Sequence, residues 1–331
     1  MKLASLRNAC RDGQLLLVSR DLQWAVSAAD IAPNLQAALD NWQQAAAALA
    51  ARYRDLNQGK AAGAFAFDPA KVGPPLPRAY QFADGSGYQN HGELMKKAFD
   101  TTNSIGFPTD QPLMYQACSD DFMGPCDPIE AGDEAWGIDF EGELAVIVGD
   151  VPRQTSREAA AAHIRLVMLA NDVSLRNLIM AELAKGFGFY QSKPASSFSP
   201  VAVTPDELGD TWRDSRVHLP LRITLNGGEF GRVNAGVGAT FSFPDFIAHA
   251  TRTRKLLAGT IIGGGTVSNA EPGVGSSCIA ERRALDRIQF GEARTPFLKF
   301  GDQVRIEMLD ASGQSVFGAI DQKVVPFARR Q

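Results

Sequence analysis

Glu141 and Glu143 stand two residues apart in GIDFEGELAVIVGD (137–150), where Phe140, Leu144, Val146 and Val148 alternate like one face of a strand. Side chains two apart on a strand leave from the same face, so both carboxylates meet the same surroundings. Like charges that close repel, and taking them out of water is costly unless something neutralises them. Two further acids occupy places suited to a site. Asp84 lies in the glycine-rich, loop-like FADGSGYQNHGEL (82–94), and Asp172 in LANDVSLRN, where an apolar strand gives way to a helix. Together Asp84, Glu141, Glu143 and Asp172 offer oxygen ligands and no soft ones. If they converge, their charge requires a hard cation, Mg²⁺ or Ca²⁺, with Mn²⁺ as a further candidate.

Other groups fit around that set. His91 shares the stretch of Asp84, and of the histidines at 91, 163, 218 and 249 it alone lies in a loop of the kind that builds sites. By itself it reads as an ordinary solvated histidine. Arg176 follows Asp172 by four residues, which on a helix makes an Asp–Arg surface pair, the better reading of that motif alone. Lys193, in YQSKPASSFSP, is by type a solvated loop lysine. GTIIGGGTVSN (259–269) lacks the GK[ST] ending of a phosphate loop. Its glycines, Gly265 among them, let backbone approach a small ligand, with the Thr266 hydroxyl as a donor. There is no HExxH, no CxxC and no regular cysteine spacing among Cys10, Cys118, Cys126 and Cys278, so a zinc protease site and a disulfide framework are not expected.

Positioning these residues takes a β-rich chain. EGELAVIVGD reads as one strand and HIRLVMLANDV (163–173) as a helix end running into an apolar strand. RVHLPLRITLNGGEFGR (216–232) turns at Asn226-Gly227-Gly228, a strong hairpin signal, and DQVRIEMLDASGQSVFGAIDQKV (302–324) turns at Asp310–Gly313. Helical patterns fall at 34–53, 91–100, 156–163, 175–184 and 244–257. Strands outnumber helices without βαβ alternation, which predicts an α+β, β-rich fold rather than a doubly wound sheet. GPPLP (73–77) marks a boundary near residue 75 between a small N-terminal subdomain (1–75) and the main body (76–331).

Composition bounds the partners. The chain has 331 residues, a formal charge of −4 and an ordinary globular share of apolar residues. A pI near 5.7 argues against a broad nucleic-acid or anionic-membrane surface. No apolar run reaches the roughly 18 residues that span a bilayer, and the N-terminus lacks a signal peptide's apolar core, so a cytoplasmic protein is expected.

The ordered blocks resemble the fumarylacetoacetate hydrolase family over about residues 80–325. They are Asp84 with His91 seven residues on, DFEGELAVIVG, NDVSLR, SKPASSFSP, GGGTVSN, SSCIAE ending at Glu281, and TPFLKFGDQVRIEM. The resemblance implies a mixed β-sandwich roll with a small N-terminal subdomain, and a cytoplasmic homodimer. It makes Asp84, Glu141, Glu143 and Asp172 the metal ligands and His91 the general base, oriented by Glu281. Arg176, Lys193 and Thr266 would surround the substrate oxygens, and Tyr115 would also reach the substrate. Within the family the chain is most similar to a fumarylacetoacetase, which hydrolyses a C–C bond of a 1,3-dicarbonyl acid in tyrosine and phenylalanine breakdown. The neighbouring readings are an acylpyruvate or fumarylpyruvate hydrolase and an oxaloacetate decarboxylase. From another class, the carboxylates would serve a catalytically silent metal-binding protein. Ser86 replaces the family's aromatic residue two positions after the first aspartate, and Ile179 its glutamine three after the arginine; both bear on which acid is taken.

Overall fold

The computed structural model describes residues 1–99 and 110–327. Position 100 of the helix expected at 91–100, and 328–331 of the main body, lie outside them.

Two sheets face one another among the described residues. The larger runs in the order Phe65–Ala66, Trp24–Ser27, Gln14–Val18, Lys2–Leu6, Ala202–Val203, Ile164–Asn171, Gly142–Val148, Ile261–Gly263, Phe82–Ser86 and Leu113–Ala117, with Ser197–Phe198 also joined to Ile164–Asn171. The smaller runs Gly228–Asn234, Pro220–Leu225, Gln303–Met308, Ile320–Pro326 and Ile129–Ala131. The strands of the first 75 residues extend the larger sheet, Lys2 and Leu3 pairing with Val203 and Ala202. This is an α+β fold built on a mixed β-sandwich.

Gly142–Val148 shows why the sandwich closes. It is buried along its whole length, because both faces are covered. Leu144, Val146 and Val148 pack between the sheets with Leu221, Ile223 and Ile306. Ala145 and Ile147 pack on the outer side, in a core shared with Leu35, Leu39, Leu49 and Tyr53 of two helices, α1 (Leu35–Asp40) and α2 (Trp42–Asn57). Each such aliphatic residue, fully buried, contributes roughly 1.5–3 kcal/mol.

The single helix expected over 34–53 is therefore two. The Asn34 side chain caps α1, accepting the Ala37 N–H at 2.9 Å. Asn41, at φ −123° and ψ 35°, then interrupts the helix, as a residue whose side chain competes for backbone groups tends to do. The remaining helices are α3 (Gln89–Phe99), α4 (Arg157–Ala160), α5 (Arg176–Leu183), α6 (Phe243–Thr251) and α7 (Ile279–Phe290). The first four of these match the expected patterns; α7 does not appear among them. Its start is held by Cys278, a poor capping type, yet Glu281 in its first turn, Arg287 in its last and Gly291 beyond it at φ 82° are legible signals.

Asn226 and Gly227 both take positive φ, the mirror-image turn that suits a two-residue hairpin. The second expected hairpin is looser. Asp310 Oδ1 does accept the Ser312 and Gln314 N–H groups, but Ile306 pairs with Ile320, leaving a broad connection that buries Phe317. Among the described residues no helix is long and apolar enough to cross a membrane.

Candidate active site: an acidic cluster and an imidazole–carboxylate pair

Asp84 lies in the strand Phe82–Ser86 rather than in a loop. FADGS carries no alternation to reveal it; its place comes from parallel pairing with Ile261–Gly263 on one side and antiparallel pairing with Leu113–Ala117 on the other. That strand pairs in turn with Gly142–Val148, so Asp84, Gly263 and Ala145 lie side by side. Gly263 is the floor beneath the Asp84 carboxylate: a Cβ there would fall 1.9 Å from Oδ1. Gly265, at φ +82°, turns the chain where a Cβ would sit 2.5 Å from the Gly85 carbonyl oxygen. Glu143 comes from the strand itself. Glu141, expected in the same strand, stands just ahead of it, bridged to Cys278. Asp172 follows directly on Ile164–Asn171.

Asp84, Glu143 and Asp172 each bring an oxygen to within 4.8 Å of the other two, and all three are buried. Asp84 Oδ1 and Glu143 Oε2 have no hydrogen-bond partner among the described residues. Burial, and then repulsion from Asp172, pushes the Asp84 carboxyl well up; burial, Asp84 and Asp172 do the same to Glu143. A hard divalent cation fits this donor set, since it would satisfy both orphaned oxygens and cancel the repulsion.

Glu141 is held differently. Arg176, the first residue of α5, donates Nη2–H to Glu141 Oε1 at 2.6 Å and Nε–H to Asp139 Oδ2 at 2.8 Å. Lys193 donates to Glu141 Oε2 at 2.5 Å and to Asp172 Oδ2 at 2.6 Å. Burial opposes ionisation of Glu141, but Arg176, Lys193 and His91 together hold it well below the ordinary carboxylate range. The expected Asp172–Arg176 surface pair does not form. The helix begins at Arg176, which leaves Asp172 outside it, ahead of the short strand Ser174–Leu175, and the buried Arg176 points to Asp139 and Glu141. Lys193 is not a solvated loop lysine either, for it is buried over the rings of Tyr115 and Phe189, 5.6 and 5.9 Å from their centres. The Tyr115 hydroxyl donates to Asp172 Oδ2 at 2.6 Å, Ser196 to Asp172 Oδ1 at 2.8 Å, and Thr266 to Glu143 Oε1 at 3.4 Å.

His91 sits in the first turn of α3, its Nδ1 2.8 Å from Glu281 Oε1 and its Nε2 3.9 Å from Glu141 Oε1. A carboxylate only accepts, so Nδ1 carries the proton and Nε2 is left to accept one. Glu281 belongs to the first turn of α7, which packs on α3 through Ala284 and Leu94. Two helices far apart in sequence thus build this pair.

Three supporting residues escape the sequence reading. Asp139, fully buried, accepts the Ile279 and Ala280 N–H groups at 2.7 and 2.9 Å as well as Arg176, so it ties the start of α7 to α5. An acid inside the apolar GIDF run was the available signal. Glu182 accepts the Tyr190, Gln191 and Ser192 N–H groups and anchors the loop leading to Lys193. Ser196 is the third. Asp84, His91, Tyr115, Glu141, Glu143, Arg176, Lys193, Gly265 and Thr266 line one cleft of about 380 Å³, with Ser86, Met95, Leu113, Ile179 and Leu183 on its walls. Its polar floor beneath apolar walls suits a small molecule with a charged or chelating head.

Comparison with known proteins agrees. The model of the fumarylacetoacetate (FAA) hydrolase C-terminal domain matches residues 81–325, and that of fumarylacetoacetase N-terminal domain 2 matches 1–78. A 2,4-didehydro-3-deoxy-L-rhamnonate hydrolase of Sphingomonas sp. (strain SKA58) is 28% identical over 244 residues, covering 71% of this chain and 72% of that protein. A mitochondrial oxaloacetate tautomerase of Xenopus laevis is 28% identical over 65% of this chain. The chain spans 58% of that tautomerase's length. Two solved structures share the fold across 99% of this chain and 100% of theirs. They are a maleylpyruvate hydrolase from Sphingobium sp. SYK-6 in complex with manganese (II) ion and pyruvate (TM-score 0.66, 18% identity) and a fumarylacetoacetate hydrolase from Exiguobacterium antarcticum (TM-score 0.67, 17% identity). With a family model covering most of its length, above the paired acids and the imidazole–carboxylate couple just described, this chain belongs to the fumarylacetoacetate hydrolase family.

Proposed function

We propose that this protein is a divalent-cation-dependent hydrolase that cleaves a C–C bond in a 1,3-dicarbonyl acid, with fumarylacetoacetate, giving fumarate and acetoacetate, as the leading substrate. The observation that carries the reading is His91, fixed by Glu281 at 2.8 Å, standing beside acids that include the unpartnered Asp84 Oδ1 and Glu143 Oε2. The hydrolase and tautomerase names of the relatives, and the manganese and pyruvate in one structural neighbour, support the same class of chemistry.

Asp84, Glu143 and Asp172, with Glu141 beside them, would hold the cation. When bound, it supplies Lewis-acid polarisation of the carbonyl oxygens and charge for a developing enolate. The chain's own residues do the rest. His91 Nε2 takes a proton from water, and Glu281 holds the ring and stabilises the imidazolium. The water oxygen adds to the carbonyl carbon, with Lys193 near enough to the cluster to donate to the oxyanion. The C–C bond then breaks, its electron pair leaves as an enolate, and His91 returns the proton to the leaving carbon. A base with no cation partner of its own has no use in a structural ion site, which speaks against the silent binding reading.

The test is a panel of fumarylacetoacetate, fumarylpyruvate, acylpyruvates and oxaloacetate, each followed with Mg²⁺, Mn²⁺ or Ca²⁺ and again after chelation. Metal-dependent loss of a 1,3-dicarbonyl is the expected result. Conversion of oxaloacetate alone would replace the hydrolase reading with the tautomerase or decarboxylase one.

A further inference from the structure

The floor of the cleft carries more negative charge than positive. Asp84, Glu141 and Glu143 line it and Asp139, Asp172 and Glu281 are buried behind it, against Arg176 and Lys193. Even a bound divalent cation leaves an excess of negative charge when all the acids are ionised. Arg176 is already held by Asp139 and Glu141, and Lys193, beside Glu141 and Asp172, serves the oxyanion at the reacting end, so neither is placed to meet a charge at the far end of a ligand. An anionic substrate entering such a cleft needs attraction from elsewhere.

Among the described residues, one further basic side chain besides His91, Arg176 and Lys193 lines the cleft, Lys96. On α3, His91, Gly92, Met95 and Lys96 all face the cleft, the spacing expected of one helix face. Lys96 lies five residues on from His91, a rise of about 7.5 Å along the helix at 1.5 Å per residue. Lys96 is half-buried and has no ion-pair partner among the described residues. Its neighbours on the wall, Met95, Leu113, Ile179, Met180 and Leu183, are aliphatic and offer an elongated ligand no polar contact. A partly desolvated ammonium among such side chains pairs more strongly than one in open water.

We propose that Lys96 receives a second, terminal carboxylate of the substrate, so that the cleft selects dicarboxylic 2-oxo and 1,3-dicarbonyl acids over monocarboxylic acids of equal length. This rests on the reading of the cleft as a dicarbonyl-acid site and names the end of the molecule that sets its choice.

Titration calorimetry of the Mg²⁺-loaded protein with 2-oxoadipate and 2-oxohexanoate tests it. The two acids have the same chain length and differ in a terminal carboxylate against a methyl group. The wild-type protein should bind 2-oxoadipate about tenfold more tightly, which corresponds to about 1.4 kcal/mol. Lys96→Met should lose that preference, Lys96→Arg should keep most of it, and Lys96→Glu should reverse it. Mg²⁺ affinity unchanged in Lys96→Met would show that the floor is intact in the variant. Equal binding of the two acids by the wild-type protein, binding of neither, or a preference that survives Lys96→Met overturns the proposal. The hydrolase reading is judged apart from this, by turnover of the dicarbonyl panel, because the calorimetry requires no turnover.

Discussion

Replacing Asp139 with Ala takes one carboxylate away from three donors at once. Arg176, only 4% exposed, would keep Glu141 on Nη2 and lose its partner on Nε. Removing one member of a buried ion pair costs about 3–5 kcal/mol, because the remaining charge stays buried. The Ile279 and Ala280 N–H groups also lose their acceptor, and a lost helix cap costs about 1 kcal/mol more. Asp139→Ala should therefore destabilise the metal-free protein by about 4 kcal/mol or more, against a typical total of about 5–15 kcal/mol. Asp139→Asn keeps an oxygen for an amide but no charge for Arg176, and should cost less, about 1.5–3 kcal/mol. In the double variant Asp139→Ala with Arg176→Met no guanidinium is stranded, so part of the loss should return, as a coupling of about 0.5–3 kcal/mol. Urea unfolding followed by tryptophan fluorescence reads the wild type, Asp139→Ala, Asp139→Asn, Arg176→Met and the double variant. An Asp139→Ala protein within about 1 kcal/mol of wild type, or a double variant whose loss equals the sum of the singles, would refute the view that Asp139 ties α7 to α5 through a buried charge.

Other expectations follow from the same geometry. Glu143→Gln should lose cation binding and turnover together, whereas His91→Ala should bind the cation and lose turnover; calorimetry beside the dicarbonyl assay separates them, and normal turnover by His91→Ala removes the assigned base. Gly263→Ala should push the Asp84 carboxylate off its floor, costing about 1–3 kcal/mol of stability and weakening cation binding, both readable by thermal unfolding with and without Mg²⁺. For Glu182, burial is outweighed by the Ser192 hydroxyl and the Tyr190, Ser192 and Gln191 amides, which hold its carboxyl down at about 2. A folded-state value below the ordinary 4.5 means the stabilisation is present above 4.5 and lost as pH falls through about 2. Limited proteolysis at 184–191 with an acid-active protease should accelerate across that window, and Glu182→Gln should be cut at the faster rate throughout; identical rates for the two proteins would sink the idea.

Much of the site was legible in one dimension. Two-residue spacing put Glu141 and Glu143 on one side, the absence of soft ligands indicated a hard cation, and Asn226-Gly227 announced its turn, because each is a local property of backbone geometry or ligand chemistry. The order of the motif blocks identified the family for a similar reason: spacing along the chain preserves which residues a fold can bring together. What needed the tertiary structure was partnership. Sequence spacing pairs Arg176 with Asp172, four residues away, yet burial draws it to Asp139 and Glu141, more than thirty residues away. Lys193 is by type a solvated loop lysine, yet the carboxylates of Glu141 and Asp172 enclose it. Asp84 reads as loop by its own sequence and is strand because Ile261–Gly263 and Leu113–Ala117 lie on either side of it. Period and residue type decide which face a side chain takes and what chemistry it offers. Which charge it meets depends on chain segments far apart in sequence, and in a buried site desolvation makes that meeting the dominant energy.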